Sequence, residues 1–535
     1  MARIDSRFVQ AVDAQADAAP DRVAFANSDG ERITFAQLRA ASDALACWMA
    51  ANPAIPSGAP LVVYGHKSPL MLVSFLACVK SGHAYAPVDT VYPPERVANI
   101  ASQVAPTAVI DTIGTFAHAD GCQIDAPCIG PDELTCACGQ TATAEQLAEL
   151  CGLAKQDTYY ILFTSGSTGT PKGVEVMTEC VDGFYDWMTH DYAFEEPLAD
   201  GQDPDFGGRV WFNRTPFSFD VSITDMCCGL TRGDTCFANE AKADASLAAT
   251  FEALGRSGAT DWVSTPSFVE QCLADPSFGD ALMPRLRRML LAGETLRPET
   301  VRAVRERFHG KVDVYNGYGP TESTDLVTLV RITDEMLAAD RALPIGFAKP
   351  GTDLYVVDPV TLGQVPDGTP GEMYIVGDTV ARGYWKRPDI TQAAFHSCPE
   401  ALAQGRKSYR TGDEVTRDPS GIIYYHGRLD LQVKLHGYRI ELGDIESCLV
   451  AVPQVRMACV LPVRKGASIA HLTAVVVPSD LEAPRGFALT KQIKAQLKQA
   501  LPAYMVPSSF KYIDAMPLNS NGKADRKALA AMLGL

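Results

Sequence analysis

The sequence predicts an α/β chain with a large multi-lobed N-terminal part over residues 1–429, made of α/β layers plus a β-rich lobe, and a small mobile α+β part over 430–535. Three observations carry this prediction. The 535 residues exceed what one hydrophobic core organises and imply roughly three to four folding units. As far as residue 315, helical periodicity alternates with short apolar runs. Beyond about residue 340 the texture changes to short extended runs broken by Gly, Pro and Asp.

Taken in order, residues 35–50 show helical periodicity, 60–64 form an apolar run of strand length, and 69–80 are again helical. The alternation continues with a strand at 159–163, helices at 247–254 and 298–308, and a strand at 312–315. Extended runs at 354–357, 372–376 and 422–426 make up the β-rich lobe. A further unit begins near Asp430, with a helix over 490–500, a Pro-punctuated stretch over 501–507 and a polar loop over 519–526.

Composition narrows the function classes. Hydrophobic content of 47% and charged content of 21% describe a globular chain with a packed core. A formal charge of −17 and a pI near 5.0 argue against attraction to nucleic acid or an anionic membrane. The N-terminus lacks a signal-peptide core and no segment has the ~20 apolar residues of a span, so the sequence reads as cytoplasmic, with no membrane insertion. Cys47, Cys78, Cys227, Cys228 and Cys272 sit in apolar stretches as small hydrophobes do. Cys122, Cys128, Cys136, Cys138 and Cys151 are closer together, but their spacing matches no zinc pattern, and reduced thiols are expected.

Chemistry begins after the strand at 159–163, with Thr164-Ser165-Gly166-Ser167-Thr168-Gly169-Thr170-Pro171-Lys172-Gly173. Glycines turn backbone N–H groups toward an anion, hydroxyls add donors and a lysine adds charge, which suits a phosphate cradle. Pro171 before and Gly173 after Lys172 distinguish it from a Walker A loop, and a flexible Ser/Gly surface loop is the competing reading. Asn316-Gly317-Tyr318-Gly319-Pro320-Thr321-Glu322 then supplies a turn, a ring on which adenine could stack, a hydroxyl, and a carboxylate suited to magnesium. In Tyr409-Arg410-Thr411-Gly412-Asp413 a carboxylate could accept two hydrogen bonds from a ribose diol. Each of these alone is matched by a tight turn.

Two further motifs complete the series: Gly427-Arg428-Leu429-Asp430 with Val433-Lys434-Leu435-His436-Gly437-Tyr438-Arg439-Ile440-Glu441, and Asn521-Gly522-Lys523-Ala524-Asp525-Arg526. Five motifs in this order and spacing resemble the superfamily of acyl-CoA synthetases, peptide-synthetase adenylation domains and luciferases. Stretches at 263–267, 283–294 and 431–441 are most similar to D-alanine:D-alanyl-carrier-protein ligases. The resemblance implies an AMP-forming ligase using ATP and Mg2+, whose partners are an amino acid and a phosphopantetheinylated carrier protein acting in trans.

It also implies roles residue by residue. Thr164, Ser165, Gly166, Ser167, Thr168 and Lys172 would wrap the β- and γ-phosphates. Asn316 and Tyr318 would hold adenine, with Tyr318 packed against it. Thr321 would contact the α-phosphate, Glu322 would bind magnesium, and Asp413 and Arg428 would hold the ribose. Lys523 would bridge the substrate carboxylate and the α-phosphate, and Asp430 would be the hinge that swings the Gly437 region toward the thiol. The chemistry agrees: a carboxylate attacking a phosphate joins two anions and needs a cation between them, and two half-reactions suit one mobile domain.

For the substrate pocket the resemblance points to Asp220, Ala292, Gly317 and Asp325. A carboxylate at Asp220 would pair with an α-ammonium, whereas a fatty acyl chain would leave it buried without a partner. The alternative for Asp220 is a cap on the segment 221–226. Ala292 and Asp325 depart from the D-alanine ligase pattern, one enlarging the pocket and the other adding an acceptor, which admits a slightly larger amino acid or one with a second amine. D-alanine is the leading substrate. Another D- or L-amino acid for a peptide assembly line and an acyl-CoA synthetase are rivals of the same chemistry, and a non-catalytic nucleotide-binding protein is the rival of a different class.

Overall fold

The structure is a computed structural model. It describes residues 4–116, 126–165, 170–190, 206, 208–240, 246–339, 341–430, 432–465, 468–480, 484–518 and 524–534. Gly166, Ser167, Thr168 and Lys523 of the expected site, and Cys122, lie outside the described residues.

Period-two alternation along apolar strands decides the layering. In Val210–Asn213, Asp261–Ser264 and Arg288–Leu291 successive residues face different cores: Trp211, Val263 and Leu290 enter one cluster, and Phe212, Trp262 and Met289 another. These strands lie in a nine-stranded sheet whose neighbouring strands from Val23–Asn27 to Asp313–Tyr318 run parallel, with antiparallel strands at its edges. A seven-stranded sheet follows the same rule, with Val62, Ile161 and Phe163 on one face and Leu61, Tyr160 and Leu162 on the other.

Between the two sheets run helices buried on nearly all sides and mostly apolar, as a sandwiched helix must be. Pro69–Lys80 is buried from residue 71 onward, and Val221–Leu230 from residue 222 onward. Ser68 caps the first by accepting from Met71 N, with Pro69 already in a helical φ, and Lys80 is buried because Asp13 and Asp43 neutralise it at 2.8 and 2.7 Å. Outer helices such as Pro94–Val104 and Pro298–Arg307 bury one stripe and cover the other sheet faces.

The β-rich lobe is a four-stranded antiparallel sheet, Thr352–Val357, Gly371–Gly377, Ser408–Arg417 and Ile423–Arg428 in spatial order. After Arg428 the chain enters a hairpin, Gln432–Leu435 with Tyr438–Glu441, and then a three-stranded sheet. That sheet has its own cores: Val433, Leu435 and Ile440 pack with Ile445, Ile493 and Leu497 on one face, and Leu461, Val475 and Leu529 pack on the other.

Elements fall where the sequence placed them, with three corrections. The strand expected at 312–315 is Asp313–Tyr318, so Asn316, Gly317 and Tyr318 are paired strand residues (Tyr318 opposite Thr328) and the turn comes only at Pro320. Tyr409 to Asp413, for which a tight turn was the competing reading, lies inside the strand Ser408–Arg417. Arg526, expected to end a polar loop, starts the helix Arg526–Leu533, whose first turn Asp525 caps by accepting from Ala528 N.

One buried acid links this packing to pH. Asp234 accepts from Trp211 Nε1 at 3.4 Å, and burial, with Asp261 close by, pushes its carboxyl up to about 7. The folded chain therefore keeps a proton that the unfolded chain releases near pH 4, so this group lowers stability progressively between about pH 4 and pH 7. Asp234→Asn keeps an acceptor for Trp211 without that penalty. It is expected to raise unfolding free energy at pH 8 by about 1–4 kcal/mol, with the gain vanishing toward pH 4, in urea denaturation.

Candidate functional site

The site lies where the nine-stranded sheet, the β-rich lobe and the C-terminal hairpin meet. The strand Asp313–Tyr318 delivers Tyr318, whose hydroxyl donates to Asp413 Oδ2 in the lobe at 2.5 Å. Asp413 and Arg428 are register partners on adjacent strands, joined Nη1 to Oδ1 at 3.1 Å. Arg428 also grips Asp430, Nε to Oδ1 at 2.9 Å, and Asp430 accepts from Gln432 N at 3.0 Å as the chain turns into the hairpin. The residues expected at the ribose and at the hinge thus form one chain of charge.

After Tyr318 the backbone turns sharply. A Cβ on Gly319 would lie 1.8 Å from Asp325 O, so only glycine permits the return. The turn carries Glu322 to full burial, where Tyr384 Oη donates to Oε1 at 2.7 Å, Arg439 Nη1 meets Oε2 at 2.5 Å and Lys172 Nζ lies 3.7 Å from Oε1. Burial alone would raise this carboxyl, but Arg439 and Lys172 hold it well below the usual carboxylate range. Lys172 also donates to Tyr384 Oη at 3.1 Å, and burial lowers its own ammonium.

Asp220 sits one element away at the start of Val221–Leu230. It accepts from Val221 N at 3.0 Å, so the capping alternative holds, and it is half-buried close to Glu322. One helical turn on, Thr224 Oγ1 donates to Asp325 Oδ2. Asp325 therefore faces the same buried space as Asp220. Burial raises both carboxyls, and that of Asp325 is raised further by Asp220. Ala292 is buried directly after Arg288–Leu291, with its N–H on Ser264 O at 3.1 Å, and a Cβ on Gly317 would press on Leu326 at 3.2 Å.

Some expected residues are engaged differently. Asn316 Nδ2 is spent on Pro344 O at 2.7 Å. One face of the Tyr318 ring is covered by Lys434 Nζ, 5.3 Å from its centre. Thr164 Oγ1 is buried without a hydrogen-bond partner among the described residues. Ser165 Oγ donates to Arg439 O at 2.8 Å and accepts from Glu441 N at 3.3 Å.

The hairpin's contribution escaped sequence reasoning. Lys434 and Arg439 are opposite each other in the hairpin register while Val433, Leu435 and Ile440 face its core. Two like charges directly opposite on one face are unfavourable unless anions lie near, and that alternation was the available signal. Glu294 was also missed. It accepts from Ser267 N at 3.0 Å and from Gly437 N at 2.9 Å, tying a helix start to the hairpin turn. Gly437 has φ +81°, and a Cβ there would fall 2.3 Å from Thr265 Cγ2. A cleft of about 610 Å³ opens beside these groups, lined by Lys172, Arg387, Arg410, Arg428 and Arg439 together with Glu372, Asp430 and Glu441, so its wall is mixed in charge with an excess of cations.

A cation-rich cleft beside the end of the strand Asp313–Tyr318, bordered by a smaller second domain, fits a nucleotide-handling enzyme, and the chain belongs to the AMP-binding enzyme family. The family's main model matches residues 12–385 and its C-terminal domain model residues 444–523. More particularly, the chain is 36% identical over 523 residues to a D-alanine--D-alanyl carrier protein ligase of Bacillus licheniformis, covering 98% of this chain and 99% of that one. A ligase of the same name from Bacillus anthracis is 36% identical over 529 residues. Among solved structures, an NRPS protein containing adenylation and PCP domains superposes with TM-score 0.77 at 26% identity, covering 98% of this chain and 84% of that one. The Vibrio cholerae adenylation domain AlmE, in complex with glycyl-adenosine-5'-phosphate, shares the fold with TM-score 0.81 at 22% identity, covering 99% and 98%.

The charge chain yields a stability test. Arg428→Ala leaves Asp413 and Asp430 without their cation, and an expected loss of about 3 kcal/mol in denaturant unfolding follows from stranding a buried carboxylate.

Proposed function

We propose that this enzyme activates an amino acid, D-alanine in the leading reading, with ATP and Mg2+, releases pyrophosphate, and passes the acyl group to the phosphopantetheine thiol of a carrier protein acting in trans. The observation that carries the reading is the Asp220 carboxylate, held on Val221 N at the head of a buried helix and close to the cation-held Glu322. An α-ammonium at Asp220 brings a carboxylate toward Thr321, where the phosphate chemistry is expected. The full-length likeness to D-alanine ligases supports the substrate and carrier assignment.

Magnesium takes one or two carboxylates plus phosphate oxygens. An ionised, buried Glu322 suits that demand, and no group of three or more His, Cys, Asp or Glu exists among the described residues to hold the ion by protein alone. When bound, the ion neutralises phosphate charge as the carboxylate approaches. Lys172 and the Thr164–Ser165 segment would grip the outer phosphates, Asp413 and Arg428 the ribose, and Tyr318 the adenine, with Asn316 holding the local backbone through Pro344. Lys523 would then supply the second cation, and movement about Asp430 would exchange it for the hairpin at Gly437.

A second reading rests on Asp325. A carboxylate held by Thr224 in the space that Asp220 faces offers an acceptor that D-alanine does not use, so a diamino acid is its natural competitor.

Pyrophosphate release across D- and L-amino acids, diamino acids and short acyl acids tests both readings. D-alanine preference upholds the first, diamino-acid preference the second, and a preference for acyl acids overturns both. In the same assay Lys523→Ala is expected to lose about 10²-fold or more in rate while ATP still binds, as expected for a cation acting in the transition state; unchanged turnover would remove Lys523 from the mechanism. Gly437→Ala should keep pyrophosphate release and lose most acyl transfer to a carrier thiol, because its Cβ cannot dock against Thr265.

A further inference from the structure

Lys172 and Glu322 carry opposite charges and lie close together, yet they do not bond directly. Lys172 Nζ is 3.7 Å from Glu322 Oε1, and the Tyr384 hydroxyl bridges them, donating to Oε1 at 2.7 Å and accepting from Nζ at 3.1 Å. The ammonium also lies over the Tyr384 ring, 4.5 Å from its centre.

The backbone builds this arrangement. Tyr384 pairs with Val174 in an antiparallel ladder, so Lys172, two residues along on the same face, is its diagonal neighbour and within reach of an aromatic ring. Trp385 N donates to Gly173 O at 2.7 Å and Arg382 N to Glu175 O at 2.9 Å, which locks the register. The ring is buried edge-to-face against Phe395, with 5.3 Å between centres, and Tyr384 N donates to Thr391 Oγ1 at 2.9 Å. Gly383 permits that close approach, since a Cβ there would fall 2.5 Å from Thr391 Cγ2. Burial and the neighbouring carboxylate keep the hydroxyl protonated, well above the usual phenol range.

We propose that Tyr384 is a positioning residue that keeps Lys172 and Glu322 apart, leaving the lysine's charge for the outer phosphates of ATP and a carboxylate oxygen for magnesium. The inference rests on the proposed reading of Lys172 as a phosphate ligand and of Glu322 as a metal ligand.

An ammonium and a carboxylate withdrawn from water close to a direct charge-assisted bond when nothing separates them. Once buried, such a pair is costly to break. Each group would then be spent on the other, and ATP with magnesium would have to open the pair before being held. A neutral hydroxyl bonds to both groups without neutralising either, and it yields to an incoming ion at the cost of ordinary hydrogen bonds.

Calorimetry of ATP binding to the intact chain, with and without magnesium, tests this in a double-mutant cycle. Tyr384→Phe keeps the ring and removes only the hydroxyl. It is expected to weaken ATP binding about tenfold or more, while the urea midpoint stays at or above the wild-type value because the direct ion pair replaces the lost hydrogen bonds. In a Lys172→Met background no pair can collapse, so the same substitution should change ATP affinity by no more than about twofold. Glu322→Gln, which removes the pair from its other side, should have the same effect on the cycle. A lower midpoint with an equal loss of affinity in all backgrounds is the signature of a packing role and would overturn the inference, as would unchanged ATP affinity in Tyr384→Phe. Wild-type ATP binding indifferent to magnesium would instead overturn the metal reading of Glu322, and the cycle without magnesium then decides the lysine's part by itself.

Discussion

A carboxylate removed from water has to be met by cations or hydrogen-bond donors, and at Glu322 the chain meets this demand with residues drawn from most of its length. Lys172 opens the strand Lys172–Met177, Tyr384 comes from the short strand Gly383–Tyr384 paired beside it, and Arg439 comes from beyond the β-rich lobe. Strand pairing places the first two. The third depends on the C-terminal cores, because Ile440 packs inward only when Arg439 points the other way.

A second set of charges runs from the centre to the rim of the site. Tyr318, Asp413, Arg428 and Asp430 are linked in turn, from the nine-stranded sheet through two strands of the lobe to the entry of the hairpin. Asp413 and Asp430, the residue read as the hinge, share the one Arg428 guanidinium. Cross-strand register fixes the middle of the chain, since Asp413 and Arg428 face each other in the ladder.

The layered α/β architecture was legible in the sequence because buried parallel strands and sandwiched helices leave strong apolar patterns: Pro69–Lys80 is found at the bounds its periodicity gave. Strand ends were less legible. Gly317 and Gly319 look like turn residues, yet the strand runs on through Tyr318 because each glycine admits a neighbouring segment at close range. Of the site, residues joined by short motifs such as Asp413, Glu322 and Lys172 could be named, since each motif carries its own chemistry. Arg439, Lys434 and Glu294 could not, because their partners lie more than a hundred residues away, as with the pairing of Arg439 with Glu322 and of Glu294 with Gly437. The hairpin's alternation marks Lys434 and Arg439 as facing away from its core, but it does not say what they meet.

Asp220 caps a helix sealed between two sheets, and in the proposed reading the same carboxylate meets the substrate. Drift of the pocket toward another substrate is therefore coupled to the integrity of the layer behind it. Replacing Asp220 to admit a neutral acid would also unseat the first turn of Val221–Leu230, at about 1 kcal/mol for a lost cap. Asp325 and Ala292 head no helix, yet both are buried and Asp325 is held by Thr224, so on that reading substrate choice is tied to packing at all three positions.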